Sequence, residues 1–431
     1  MPAFPLEPPH AIDSPAMRMA GKDLLSLALI DARNHTLHLL SRYEEALDSP
    51  ALAVPHRPGE PGVLPPLWLA GHIGWFAEWW VARNTQRAFG IDCPQRPTRL
   101  ASIDPAADGW WDPRHWQGSD PAQPDARWST QAPDAAVVRG YLLDTLEGTL
   151  ELLDRAAETD AGLYFYRLAL FHEDLRGEQL IVMGQTLGLP IGLALPAVPA
   201  ARAPVSLPAT RWRMGLADAG FAPAQELGQD ELLVPEFEID AQPVTWQQYV
   251  EFVDDGGYDR TELWRPGGIE WLAQQPEGRR APRHVEQLGV ARNGTGGAVL
   301  QRRFGQAVRV AGHQSAVHLS WWEADAWARW AGRRLATEAE WEVAAHTASR
   351  LGFRWGDVQE WMAGTLRPWD GYRADPWSAG TEHDPQPAFG QARVLRGSSF
   401  ASRARMRSPR RRGFALPARD DGFFGFRTCA L

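Results

Sequence analysis

In FHEDLRGEQL, residues 171–180, His172 is followed one helical turn later by Arg176, at the place where a second metal-binding histidine would share its face. Another histidine, His72, lies in GHIGWF within an otherwise apolar segment. Inward-facing histidines and carboxylates on different helices are the donors from which helical bundles build metal sites. A single histidine on an apolar face is more often a hydrogen-bonded core residue than a ligand, and two of them on bundle helices narrow that balance without reversing it.

The elements that must carry these residues are helical. DLLSLALIDARNHTLHLLSRYEEAL, residues 23–47, places Leu27, Ile30, Leu37 and Leu40 at helical spacing. PPLWLAGHIGWFAEWWVARN, residues 65–84, opens on prolines where a helix accepts them. Helical stretches follow near 134–157 and 162–187, the last ending at Gly188 and Pro190. Four such helices predict a bundle over 20–188, with an irregular Pro-, Asp- and Trp-rich crossover between the second and third.

Residues 189–209, Pro- and Ala-rich without periodicity, read as a stiff linker. From 210 to 431 short strands, helices and Gly-rich loops alternate, which predicts an α+β domain. There Thr337 and Glu340 stand at capping-box spacing, and VLRGSSF and GFFGFRTCAL read as paired short strands.

Composition narrows the function classes. A formal charge of -9 disfavours a nucleic-acid or anionic-membrane partner. The local exception is the basic stretch 392–412, read either as an ion-paired face or as the wall of an anion pocket. Cys93 and Cys429, far apart in sequence, indicate neither a disulfide framework nor a cysteine-based zinc site. With no basic-then-apolar leader and no long apolar run, the chain reads as soluble and cytoplasmic. Twenty-one tryptophans suit both a thick core and a pocket that holds a cation by cation–π contact.

LWLAGHIGWFAEWW, FHEDLRGEQL, IDAQPVTWQQYVEFVDDGGY, VHLSWWEADAWARWAGRRLATEAEWEVAA, VLRGSSF and GFFGFRTCAL together resemble the ergothioneine-type nonhaem iron sulfoxide synthases, across roughly residues 20–431. Within that family the GHIGWFAEWW, FHED and FGFRTCAL segments are most similar to the selenoneine-forming branch. The resemblance implies a DinB-like four-helix bundle joined to a domain like that of the formylglycine-generating enzymes, with a C-type-lectin-like fold. It implies O2-dependent bonding of a chalcogen donor, a selenosugar or a thiol, to the imidazole C2 of hercynine at a mononuclear Fe(II) between the two parts. Ca(II) occurs with this kind of C-terminal fold, and no ligand cluster in the sequence fixes such a site.

Carried over, His72 and His172 match the family's first two iron ligands, and the third position holds Arg176. Arginine stays protonated and has no lone pair to donate. Glu173 or Glu178 could supply an oxygen instead, or His115 could swing in from the crossover. The remaining alternative is weak or absent iron binding, with Arg176 holding an anion or pairing with a carboxylate. That alternative describes a metal-deficient, non-catalytic relative that binds a betaine.

The resemblance further implies substrate-binding roles for Arg412 and Phe414, with Gly413 where the family carries an Asn, and for Arg419, with Ala415 where thiol-using relatives carry an Asp. Tyr372, in RPWDGYRADPW, matches the family's active-site tyrosine, and Gln359 replaces a Trp in GDVQEW. Cys429 is the only cysteine of the second half, which disfavours the cysteine-pair chemistry of the formylglycine-generating enzymes.

Overall fold

A computed structural model describes the chain except residues 1–9, 58–59, 61, 116–125, 129–132, 198–199, 217–219, 229–230, 277, 290–297, 380 and 382. Four helices carry its first half: α1 (Lys22–Leu47), α2 (Pro66–Ala77), α3 (Ala135–Asp154) and α4 (Asp160–Leu187). Local chemistry sets their ends. The Asp134 and Thr159 side chains accept from the backbone N–H groups of Val137 and Gly162, and α4 stops at Gly188, whose φ of 73° is left-handed. α1 packs on α4 and α2 on α3.

All twelve residues of α2 are buried, and the helix then widens into a π-helical turn over Glu78–Ala82. The buried face of α1 differs from the expected stripe. Leu27 and Ile30 are exposed, and the residues turned inward are Leu25, Ala28, Leu29, Ala32, Leu39 and Leu40. Ala28 and Ala32 are buried on that face, so it runs through alanines that a pattern of large apolar residues passes over.

In the second half, β1 (Val205–Leu207), β2 (Phe237–Ile239), β3 (Arg334–Leu335) and β8 (Thr428–Cys429) form one sheet in the order β1-β2-β8-β3. The end of the stretch read as a linker is therefore a paired strand, Val205 opposite Ile239. A second sheet runs β6 (Arg412–Ala415), β5 (Arg393–Arg396), β4 (Gln359–Thr365), β7 (Phe424–Phe426). VLRGSSF and GFFGFRTCAL thus share a sheet without pairing directly: β4 lies between them, antiparallel to β5 and parallel to β7. Helices α5 (Trp246–Asp254), α6 (Trp321–Trp330) and α7 (Glu338–Thr347) each begin with a reciprocal capping box, including the expected Thr337–Glu340 pair.

The halves share one apolar core, in which Phe171 of α4 stacks on Phe221 at 5.2 Å between ring centres. The basic stretch resolves as an ion-paired interface. Arg405 makes a bidentate pair with Asp174 at 2.6 and 2.7 Å, and both side chains are fully buried. Arg403 pairs with Asp31 of α1 and Arg411 with Glu178 of α4. These cross-half contacts fix the second half against the helices that carry the histidines.

Candidate metal and substrate site between the halves

α2 and α4 bring His72 and His172 together, with ring centres 5.4 Å apart and both side chains buried. His72 stacks on Trp68, and its Nδ1 lies 3.0 Å from the Trp111 carbonyl. A carbonyl only accepts, so Nδ1 carries the proton and Nε2 keeps its lone pair. This anchor depends on Gly71, because a Cβ there would meet the Trp111 indole at 2.0 Å. His172 lies flat on Phe76, ring centres 3.6 Å apart.

Arg176 joins the pair and adds a residue that no spacing in the sequence pointed to. Its Nε donates to His172 Nε2 at 3.2 Å, its Nη2 lies 3.1 Å from His383 Nε2, and its Nη1 donates to Gln179 Oε1 at 2.8 Å. A guanidinium has only donors, so both imidazoles receive these contacts on nitrogen lone pairs. His383 comes from the loop between β4 and β5, its ring centre 5.7 Å from that of His172 and 5.7 Å from that of Trp377.

All three histidines are held neutral. Burial, reinforced by the Arg176 charge, pulls His72 down to about 3 and holds His172 and His383 well below the usual histidine range. Burial, with Arg127 adding, pulls Arg176 down to about 9, which leaves it protonated at neutral pH.

These residues adjoin a cleft of about 390 Å³ between the halves, with His72 and His383 on its wall. Trp75, Phe76 and Trp377 form an aromatic side, Phe76 and Trp377 crossing edge to face at 6.2 Å. Arg96 and Arg99 form a cationic side, beside Arg114, which is paired with Asp112 on the same wall. Arg99 and Arg114 lie over Trp79 at 3.9 and 4.4 Å. The cleft therefore offers aromatic faces for an organic cation and guanidinium groups for a carboxylate.

The alternatives weighed for a third ligand fall elsewhere. Glu173 points to α1, where Arg33 and Thr36 hold it. Glu178 takes Gln359, Ser399, Ser402 and Arg411. The helical turn of about 100° per residue sends both away from the face of His172. The His115 side chain lies outside the described residues.

The remaining site candidates are not gathered at this cleft. Arg412 grips Glu338 in a bidentate pair and lies over Trp369 at 4.1 Å. Phe414 packs on the core beneath its sheet, and Arg419 pairs with Asp421. Tyr372 meets Phe389 edge-on at 5.4 Å, and burial raises its hydroxyl above the usual tyrosine range.

Residues 196–357 match the family of sulfatase-modifying factor enzyme 1-like domains. The hercynine oxygenase of Mycolicibacterium smegmatis is 29% identical, over 95% of this chain and 99% of its own length. The chain is similar to the hercynine oxygenases along nearly its whole length. The hercynine oxygenase of Mycobacterium tuberculosis is 27% identical over 95% of this chain and 99% of that protein. The formylglycine-generating enzyme of Mycobacterium tuberculosis is 33% identical over 40% of this chain and 62% of its own. No helix among the described residues is long and apolar enough to cross a membrane.

The relationship implies iron in general, and the side chains present fit it in type: three neutral imidazoles suit Fe(II). Among the described residues, however, no group of three or more His, Cys, Asp and Glu side chains is arranged to hold a metal. Arg176 stands among the histidines, its N–H groups directed at nitrogens of His172 and His383.

Proposed function

We propose that the protein catalyses O2-dependent bonding of a chalcogen donor to the imidazole C2 of hercynine, in the cleft between a DinB-like helical half and the second half. The observation that carries this reading is the buried His72–His172 pair on the wall of an aromatic and cationic cleft, in a chain similar end to end to hercynine oxygenases. In this reaction the C2–H bond and the Se–H or S–H bond break and a carbon–chalcogen bond forms. O2 accepts the four electrons, one oxygen ending on the chalcogen and the other as water. Fe(II), when bound at the histidines, supplies the activation of O2.

The chain's own residues position the substrate. The corner of Phe76 and Trp377 suits a trimethylammonium group, and burial of His72 and His172 keeps water from the reacting end. Arg96 and Arg99 suit a carboxylate. The selenosugar is the donor implied by the branch that the helical segments resemble. The guanidinium wall supports a carboxylate-bearing thiol as the second donor class. Tyr372 lies off the cleft, and no proton transfer is assigned to it.

The test is incubation of the full chain with Fe(II), O2, hercynine and a panel of selenosugar and thiol donors, with products read by mass. A C2-substituted imidazole is expected, with a raised KM for hercynine in Trp377→Ala. If no donor yields that product, the reading is wrong. One observation favours a second reading, a metal-deficient betaine-binding relative: Arg176 bridges two of the three imidazoles. Hercynine binding to iron-free protein, unchanged by Fe(II) and without turnover, would select it.

A further inference from the structure

We propose that the second half carries an anion site of its own, in the pocket where α6 meets β3, and that Arg265, Arg329 and Arg393 there take a small phosphate-bearing molecule. The pocket has a volume of about 280 Å³ and shares no lining residue with the cleft. Its standing does not depend on the chemistry of the cleft.

Arg393 lacks the counter-charge that its neighbours have. On the same strand, β5, Arg396 is buried against Glu342 at 2.7 Å, and on the adjacent β6 Arg412 meets Glu338 at 2.9 Å. The Arg393 guanidinium instead lies 3.7 Å from the ring centre of the buried Trp321 and donates Nη1 to the Ala363 carbonyl at 2.9 Å. Trp321 and Ala363 both line the pocket. Among the described residues no carboxylate pairs with Arg393, and its Nε is buried without a hydrogen-bond partner. Burial, with the Arg265 charge adding and Asp325 offsetting a part, holds it below the usual arginine range. A cation drawn out of water without a partner is unfavourable, so an anion bound beside it relieves a strain the free protein carries.

The charges around Arg393 point the same way. Asp325 alone answers two arginines, Arg265 Nε at 2.8 Å and Arg329 Nε at 3.0 Å. With side chains 48% and 40% exposed, both arginines keep N–H groups open to a ligand. Arg333 and Arg334, on the same wall, already have Glu238, Asp240 and Glu340. Three guanidinium groups against the one carboxylate of Asp325 leave two positive charges in excess, which matches the doubly charged form of a phosphate group. Forked guanidinium donors also fit phosphate oxygens. Ala328 and Leu335 add apolar wall for the organic part of the ligand. The concave shape and the chain's formal charge of -9 favour a small molecule over a nucleic-acid strand.

Inorganic phosphate and glycerol phosphate are the probes, titrated calorimetrically at constant ionic strength into the full chain and into Arg393→Met, Arg329→Gln and Arg211→Gln. One site per chain is expected, weakened about tenfold or more in Arg393→Met and by less in the more exposed Arg329→Gln. Arg211, 82% exposed and outside the pocket, is the control and should change nothing. Sulfate, also doubly charged, should compete, and chloride at equal ionic strength should not. Phosphate should raise the thermal midpoint of the unaltered chain and fail to raise that of Arg393→Met.

Tighter binding of the glycerol ester would identify a phosphorylated small molecule as the occupant, and tighter binding of inorganic phosphate the free ion; either supports the site. No binding of either probe at millimolar concentration overturns it, as does an affinity unchanged in Arg393→Met or lowered equally in Arg211→Gln. Should Arg393→Met fail to fold, Arg329→Gln decides, and full affinity in that variant overturns the assignment.

Discussion

Arg405 and Arg176 are both buried guanidinium groups that link α4 to the second half, and they differ in what answers them. Arg405 meets the Asp174 carboxylate in a bidentate pair and Asp31 beside it. Burial opposes its charge, but those carboxylates outweigh burial and hold it above the usual arginine range. Arg176 meets imidazoles and an amide, and burial pulls it down to about 9. A guanidinium closed by carboxylates has reached its final partner and serves as architecture. One that donates to imidazole nitrogens touches groups of a kind that also bind metals, which marks a candidate site.

The largest expected effect breaks the architectural member. Asp174→Ala leaves Arg405 with its main partner removed in a fully buried position, and should destabilise the fold by about 3–5 kcal/mol in denaturant unfolding. Replacing both members, Asp174→Leu with Arg405→Met, should recover most of that loss, since a well-packed apolar pair is often no less stable than a buried ion pair.

Next comes a pH effect beside the cleft. Burial pushes the Asp375 carboxyl up to about 7, despite the Ala224 N–H and Tyr164 hydroxyl that donate to it, and Glu226 adds to the rise. The folded state therefore keeps a proton that the unfolded chain releases above about pH 4. Stability should fall as pH climbs from about 4 to about 7, and Asp375→Asn should flatten that slope in thermal melts across the window.

A smaller effect sharpens the distinction at the site itself. Gly71→Ala drives a methyl group into Trp111 and should destabilise by about 1–3 kcal/mol. Because the Trp111 carbonyl orients His72, iron uptake should fall out of proportion to that loss, as measured by bound metal in the folded fraction. Smallest is Thr337→Ala, which removes a helix cap far from the cleft at about 1 kcal/mol and should leave iron uptake unchanged.

The helices were legible because proline, glycine and capping residues punctuate them, and the capping box at Thr337 and Glu340 was legible for the same local reason. The face of α1 was not, since its contacts use Ala28 and Ala32 where the eye follows Leu27 and Ile30. Of the site, His72 and His172 stood out by their apolar helical context, and their role as ligands came only from the family resemblance. His383 could not: it is a single histidine in a Pro- and Asp-rich loop more than two hundred residues from His172, and only the fold makes them neighbours. The charges of FHEDLRGEQL were visible, but their division was tertiary. Glu173 serves α1, Asp174 and Glu178 serve the second half, and His172 and Arg176 serve the site.

The account's central claim is that this cluster takes an ion although an arginine stands at the expected ligand position. Anaerobic equilibration of metal-free, unaltered protein with Fe(II), followed by measurement of bound iron, tests it most directly. One iron per chain, lost in His72→Ala, is the predicted result. No retained iron in the folded, unaltered chain would contradict the claim and leave a betaine-binding relative with its guanidinium permanently in place.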